Sequence, residues 1–225
     1  MPQESAEIPA QPREPLLIGR KVPTFTARST AGMVNLEDYR GKWLILFAHP
    51  ADFTPVCTSE FIALQNAKPT FDRLECALLG LSVDSIYSHV AWVRNIQEKF
   101  GVLIDFPIVE DISMAISSSY QMIDEASTTT ATVRAVFFID PEGILRAKIV
   151  YPMQVGRSVE EILRTLQALQ SVDTCGMSAG EGWNPGEKLM PMAPTTTAEA
   201  QSLMDQGDRA EWDYGTRPAT AELAE

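Results

Sequence analysis

Cys57 has the most chemistry open to it. It stands in Pro50-Ala51-Asp52-Phe53-Thr54-Pro55-Val56-Cys57, soon after the apolar run Trp43–Ala48. An unbroken apolar run of that length suits a strand buried on both faces. His49-Pro50 ends it, because proline offers no N–H to a ladder. Thr54 then reads as a helix N-cap, Pro55 as the first helical position, and Glu60 lies in an early turn. Cys57 is thereby predicted in the first helical turn, where unpaired N–H groups and the positive end of the dipole favour an anion. The thiolate is the reactive form of cysteine, and the Thr54 hydroxyl can face the same spot. A strand feeding a cysteine into a helix N-terminus is a redox-site pattern. A cysteine that merely packs fits the same stretch, since free cysteine is among the most buried residue types.

The surrounding elements follow from hydrophobic period and turn chemistry. Residues 1–15 are rich in Pro, Glu, Gln and Ala and read as a mobile arm. Ser29 to Gly41 reads as a short hairpin or loop, with one helical turn at Leu36-Glu37-Asp38-Tyr39. The Cys57 helix is expected to end before Pro69. Cys76 to Val83 is a second buried strand, and Cys76 itself reads as inert packing. Asp84-Ser85 caps a helix with Ile86, Val90, Val93, Ile96 and Phe100 at helical spacing, closed by Gly101. A short extended piece at Phe106–Val109, a short helix within Ile112–Tyr120 and a polar loop from Gln121 to Thr132 come next.

Val133 to Ile139 is a third strand, and Asp140-Pro141-Glu142-Gly143 a turn returning the chain antiparallel over Ile144–Val150. Ser158-Val159-Glu160-Glu161 fits a capping box opening a helix with Ile162, Leu163, Leu166 and Leu169 inward. Trp183-Asn184-Pro185-Gly186 looks like an anchored turn, and Thr195 to Glu225 shows no strong period. The order β–α–β–α, then a β-hairpin and a helix, is that of an α/β, thioredoxin-like domain over residues 16–171. The C-terminal extension, 172–225, ends in a weakly ordered tail.

Composition narrows the function classes. The chain has 225 residues, 45% of them hydrophobic and 21% charged, which is ordinary for a globular protein. A net charge of −12 argues against a nucleic acid or an anionic membrane surface as partner. With three scattered cysteines, two histidines and no CxxC pair, no metal site is visible in the sequence. No apolar stretch approaches the ~20 residues that span a bilayer. The N-terminus lacks a basic, apolar signal segment, so a cytoplasmic, reducing setting is expected.

Pro50-x-x-x-Thr54-x-x-Cys57 resembles the active-site motif of the peroxiredoxins, thiol-dependent peroxidases of thioredoxin-like fold. His49 before it and Thr58-Ser59-Glu60 after it resemble the one-cysteine subfamily. The likeness continues through Thr132–Pro141 and through Tyr151-Pro152-Met153-Gln154-Val155-Gly156-Arg157, and it covers residues 17 to about 192. Thioredoxin itself is disfavoured, because one cysteine stands where CxxC would be needed.

The resemblance implies that Cys57 attacks hydrogen peroxide or an alkyl hydroperoxide and becomes a sulfenic acid. Thr54 and Arg134 would hold the peroxide oxygens, and Pro50 would shield the pocket. An arginine opening an apolar strand is costly to bury unless an anion meets it. Arg134 is therefore either a strand-end group reaching water or, as the resemblance implies, a partner of the Cys57 sulfur. Glu60 and Arg157 would pair and orient Arg134, or form an ordinary surface ion pair. His49 is either part of the site or a hydrogen-bonded core residue.

Cys175 departs from the family pattern. Two-cysteine relatives carry a resolving cysteine shortly before a similar Gly-Trp-x-Pro-Gly segment; here Ala179 holds that place and Cys175 lies earlier. It reads either as a resolving thiol or as an incidental one. The phospholipase serine of some one-cysteine relatives is absent from Tyr39-Arg40-Gly41-Lys42-Trp43-Leu44. No cofactor is required for the peroxide step. The implied partners are an external thiol reductant, glutathione or a thioredoxin-like protein, and further copies of the chain: a homodimer through the strand near Ile144–Val150, assembled further into a decamer. An oligomeric holdase-type chaperone and a thiol–disulfide exchange protein are the other classes considered.

Overall fold

The computed structural model describes residues 16–123 and 129–205. The expected N-terminal arm, the middle of the Gln121–Thr132 loop and the end of the tail lie outside those residues. The chain divides into two compact units, the first ending at Arg157 and the second beginning at Ser158.

The first unit is built on one seven-stranded sheet. Its elements in chain order are β1 (Thr26–Ser29), β2 (Gly32–Asn35), a 3-10 turn at Leu36–Tyr39, β3 (Trp43–Ala48), α1 (Pro55–Arg73), β4 (Cys76–Ser82), α2 (Ile86–Phe100), β5 (Ile108–Glu110), α3 (Ala115–Ser119), β6 (Arg134–Ile139) and β7 (Leu145–Tyr151). The strand order is β2-β1-β5-β4-β3-β6-β7. β3 is central, parallel to β4 and antiparallel to β6. All six of its residues are buried, which explains why it reads as a continuous apolar run. Leu44, Leu46 and Ala48 face one layer with Leu79, Leu81 and Val109. Phe47 packs edge-on against Phe61 of α1 and against Phe106.

The β3–β6 register positions the site. Phe47 lies opposite Val136, so one further step along each strand brings Ala48 to Ala135, and the next brings His49 to Arg134. The strand end that leads into α1 therefore meets the start of β6. The turn at Asp140–Gly143 forms as expected, with Gly143 N–H donating to the Asp140 carbonyl at 2.8 Å. Gly101 closes α2 in the left-handed conformation, φ 72°.

Two expectations for this unit fail. α1 does not stop before Pro69 but runs through it to Arg73. The lost N–H falls at an exposed residue, and fully buried Phe71 anchors the last turn. The inward face of α2 is also rotated from the aliphatic pattern. His89, Trp92 and Ile96 are buried, whereas Val90 and Phe100 are 46% and 56% exposed. His89 and Trp92 can go inside because each finds a polar partner there, Asp52 and Thr58 respectively.

The second unit contains α4 (Val159–Cys175) and α5 (Thr197–Asp205). The Ser158 hydroxyl accepts from the Glu161 N–H, as the capping pattern predicts. Ile162 and Leu166 are buried, while Leu163 and Leu169 are only partly so. α4 extends to Cys175, which therefore occupies its last turn rather than the segment beyond it. Trp183 is buried, and its indole N–H donates to the Glu187 carbonyl. α5 is a helix where no period was visible. It buries no residue, so only local capping at Thr196 and Glu199 marks its start. No helix among the described residues is long and apolar enough to cross a membrane.

Candidate active site

The chain turns sharply after β3. His49 N–H donates to the Leu81 carbonyl, Pro50 is buried, and Phe53 takes a left-handed φ of 56°. Thr54 is then extended, φ −101° and ψ 147°, as the N-cap of α1, and Pro55 follows at the first helical position. Proline lacks the N–H that this position would leave unpaired. Cys57 sits in the first turn and is fully buried.

Arg134 reaches it from β6. Its Nη1 donates to Cys57 Sγ at 3.3 Å and to Glu60 Oε2 at 2.7 Å, while Nε donates to the Met153 carbonyl at 2.8 Å. Glu60, one turn after Cys57, also receives Arg157: the backbone N–H and Nε donate to Oε1 at 2.7 and 2.9 Å, and Nη2 to Oε2 at 2.7 Å. Four N–H donors thus converge on one buried carboxylate. Burial pushes the Glu60 carboxyl up, but the Arg157 hydrogen bonds and the two guanidinium charges outweigh it and hold it below the usual range. Arg157 Nη1 donates to the carbonyls of Ala48 and Ala135 at 2.7 and 2.9 Å. It takes up both acceptors where β3 and β6 separate, so that Arg134 can turn toward Cys57.

The structure therefore brings Cys57, Arg134, Glu60 and Arg157 together by direct contacts, with Pro50 and Thr54 on the adjoining loop. Thr54 departs from expectation. Its hydroxyl donates to the Ala51 carbonyl at 2.8 Å, not to the sulfur. Its N-capping is by backbone alone, with no side-chain cap bond. Its lone pairs remain available as acceptors.

His49 is a buried, hydrogen-bonded group within the same region. Asp52 Oδ1 accepts from its Nε2 at 2.8 Å. Asp52 Oδ2 pairs at 2.8 Å with Nδ1 of His89, whose other nitrogen faces the Val109 carbonyl at 3.2 Å. Thr132 Oγ1 donates to the His49 carbonyl at 3.0 Å. Asp52, His89, Trp92 and Thr132 went unrecognised in the sequence. A search of the α2 face that counted polar and aromatic positions with the aliphatics would have found His89 and Trp92. Cys76 lies in the buried start of β4, where burial pushes its thiol far above the usual range.

Residues 18–148 match the AhpC/TSA family. The peroxiredoxin of Thermoplasma volcanium is 47% identical over 182 residues, 81% of this chain and 89% of its own length. Peroxiredoxin 2 of Caldanaerobacter subterraneus subsp. tengcongensis is 50% identical over 187 residues, 83% and 85% of the two chains. The chain belongs to the peroxiredoxin family. Among solved peroxiredoxins, the yeast mitochondrial 1-Cys protein aligns with a TM-score of 0.80 at 34% identity, over 91% of this chain and 99% of its own. The yeast protein's thiol is resolved via glutathione/thioredoxin systems. As a peroxiredoxin, this chain is a thiol-dependent peroxidase of thioredoxin-like fold, acting on peroxide at the expense of a thiol.

Proposed function

We propose that Cys57 is the peroxidatic nucleophile of a one-cysteine peroxiredoxin reducing hydrogen peroxide and alkyl hydroperoxides. The observation that carries this reading is the 3.3 Å contact of Arg134 Nη1 with the buried Cys57 sulfur. A fixed guanidinium faces the sulfur and is already aimed where charge develops on the peroxide. Sulfur attacks the terminal oxygen, an S–O bond forms and the O–O bond breaks. The electron pair leaves on the distal oxygen, which departs as water or an alcohol. Thr54 Oγ1 accepts a hydrogen bond from the peroxide O–H and Arg134 donates to the oxygens, while the proton given up by the Cys57 thiol ends on the leaving oxygen. Pro50 excludes water, and Glu60 and Arg157 hold Arg134 in place. The product at Cys57 is a sulfenic acid.

An external thiol, glutathione or a thioredoxin-like protein, closes the cycle. Cys175 at the end of α4 is the alternative resolving thiol, and the four-residue offset from the two-cysteine pattern favours the external route. The chain works as a cytoplasmic homodimer through edge strand β7, assembled further into a decamer.

Cys57→Ser tests the assignment. It should abolish peroxide consumption and leave the circular dichroism spectrum unchanged, while peroxide adds one oxygen to Cys57 of the parent protein by mass spectrometry. Turnover near the parent rate in Cys57→Ser would sink the reading.

A further inference from the structure

Thr58, the residue after Cys57, has a hydroxyl bound from both sides. The Trp92 indole N–H donates to Thr58 Oγ1 at 3.3 Å, and Thr58 Oγ1 donates to the Thr54 carbonyl at 2.8 Å. An indole can only donate, and a hydroxyl has a single hydrogen. The Trp92 bond therefore occupies a Thr58 lone pair and leaves that hydrogen for Thr54. A threonine within a helix often bonds the carbonyl one turn back on its own. Here a second element, α2, fixes the hydroxyl that does so. Trp92 is 1% exposed, packed against the His49 ring at 5.2 Å and the Phe61 ring at 4.6 Å, so its N–H has no route to water.

Thr54 is held at both ends of the residue. Its carbonyl accepts from Thr58 Oγ1 and also from the Thr58 N–H at 3.0 Å. Its own hydroxyl donates to the Ala51 carbonyl at 2.8 Å. With that hydrogen committed, Thr54 Oγ1 presents only lone pairs, which is what a peroxide O–H requires. Little else secures this corner. No side-chain bond caps α1 there, and Pro55 has no N–H to offer. Phe53, just before, is 54% exposed with a left-handed φ of 56°. The bonds from Thr58 are what tie Thr54 to α1, and through Trp92 to α2.

We propose that Thr58 is a positioning residue for the peroxide step, anchored by Trp92, and that it aims the Thr54 lone pairs at the peroxide beside Cys57. Thr58 acts through Thr54 and not on the peroxide itself. The carbonyl it holds belongs to the Thr54–Pro55 peptide. Fixing that peptide plane sets where Thr54 Oγ1 stands relative to the Cys57 sulfur and Arg134 Nη1. Orientation of this kind matters because the groups that meet the transition state must already be in place when it forms. Successive hydrogen bonds polarise one another, so the Trp92 bond strengthens the one from Thr58 to Thr54. The inference rests on Cys57 as the nucleophile and on Thr54 as the acceptor for the peroxide O–H.

Thr58→Val keeps the side-chain shape and removes the hydroxyl. Stopped-flow oxidation of Cys57 by hydrogen peroxide should slow by about tenfold, the rate equivalent of one net hydrogen bond, with the circular dichroism spectrum unchanged. Thr58→Ser restores the hydroxyl and should recover most of the lost rate. Trp92→Phe keeps an aromatic ring, removes the N–H and should slow oxidation less. A double-mutant cycle with Thr54→Val separates positioning from a general effect on the fold. In the already slower Thr54→Val protein, Thr58→Val should cause no further loss, because the hydroxyl it aims is gone. Should Thr58→Val fail to fold, Trp92→Phe takes its place in the same cycle. Losses that multiply in the cycle overturn the proposal, and so does parent-rate oxidation in Thr58→Val or Trp92→Phe. Parent-rate oxidation in Thr54→Val overturns it through the acceptor assignment, and turnover in Cys57→Ser through the nucleophile; each of those failures is read without altering Thr58.

Discussion

Glu60→Gln should destabilise the chain by about 3–5 kcal/mol, the cost of breaking a buried ion pair by removing one partner. Glu60 receives Arg157 N–H and Nε on one oxygen, and Arg134 Nη1 and Arg157 Nη2 on the other. Glutamine keeps the shape but has one acceptor oxygen. Its NH2 must face two of those donors, so N–H opposes N–H at a site 3% exposed. Both guanidinium groups then stay buried beside a neutral amide. For a chain of this size each kcal/mol shifts the melting temperature by ~2–4 °C, so a fall of roughly 6–20 °C is expected.

Urea unfolding followed by circular dichroism gives the free energy, and a thermal scan gives the second measure. pH supplies an internal check. The folded Glu60 carboxyl titrates below its unfolded value of ~4.3. Its stabilisation is therefore complete above that value and is lost as pH falls through the folded one. Acidification below about pH 4 should cost the parent protein more than Glu60→Gln. A loss under ~1 kcal/mol at neutral pH, the worth of an exposed pair, would refute the reasoning.

Arg134→Met removes the donor to Cys57 Sγ and should slow peroxide reduction by about 10²–10³-fold; an unchanged second-order rate constant in stopped flow would make Arg134 structural. Mild peroxide should leave a Cys57 sulfenic acid in a monomer on non-reducing electrophoresis. A reducible dimer in the parent protein, lost in Cys175→Ser, would assign resolution to Cys175 instead. The buried Cys76 thiol should resist alkylation in the native protein at pH 8 and react after denaturation, and equal labelling in both states would contradict its placement.

Local sequence by itself determined the frame of the site. The Trp43–Ala48 run, His49-Pro50 and Thr54-Pro55 set a strand, a break and a helix start within a few residues, because each acts through its own backbone. Cys57 at the first turn of α1 follows from those signals. The partner elements β4, β6 and β7 were legible for the same reason, and resemblance to the family supplied Arg134, Glu60 and Arg157 as candidates.

Only the tertiary structure decided how those residues meet. Arg134 lies 77 residues from Cys57 and reaches it because the β3–β6 register sets it at the strand end. The Glu60 carboxylate became a buried junction of two arginines, where an exposed ion pair was equally consistent with the sequence. His89, 37 residues from Asp52, turned inward on α2 at the expense of Val90 and Phe100. α1 continued past Pro69 because Phe71 is held by packing. In each case hydrogen bonds and burial formed between distant segments outweighed a local preference worth only about 1–3 kcal/mol.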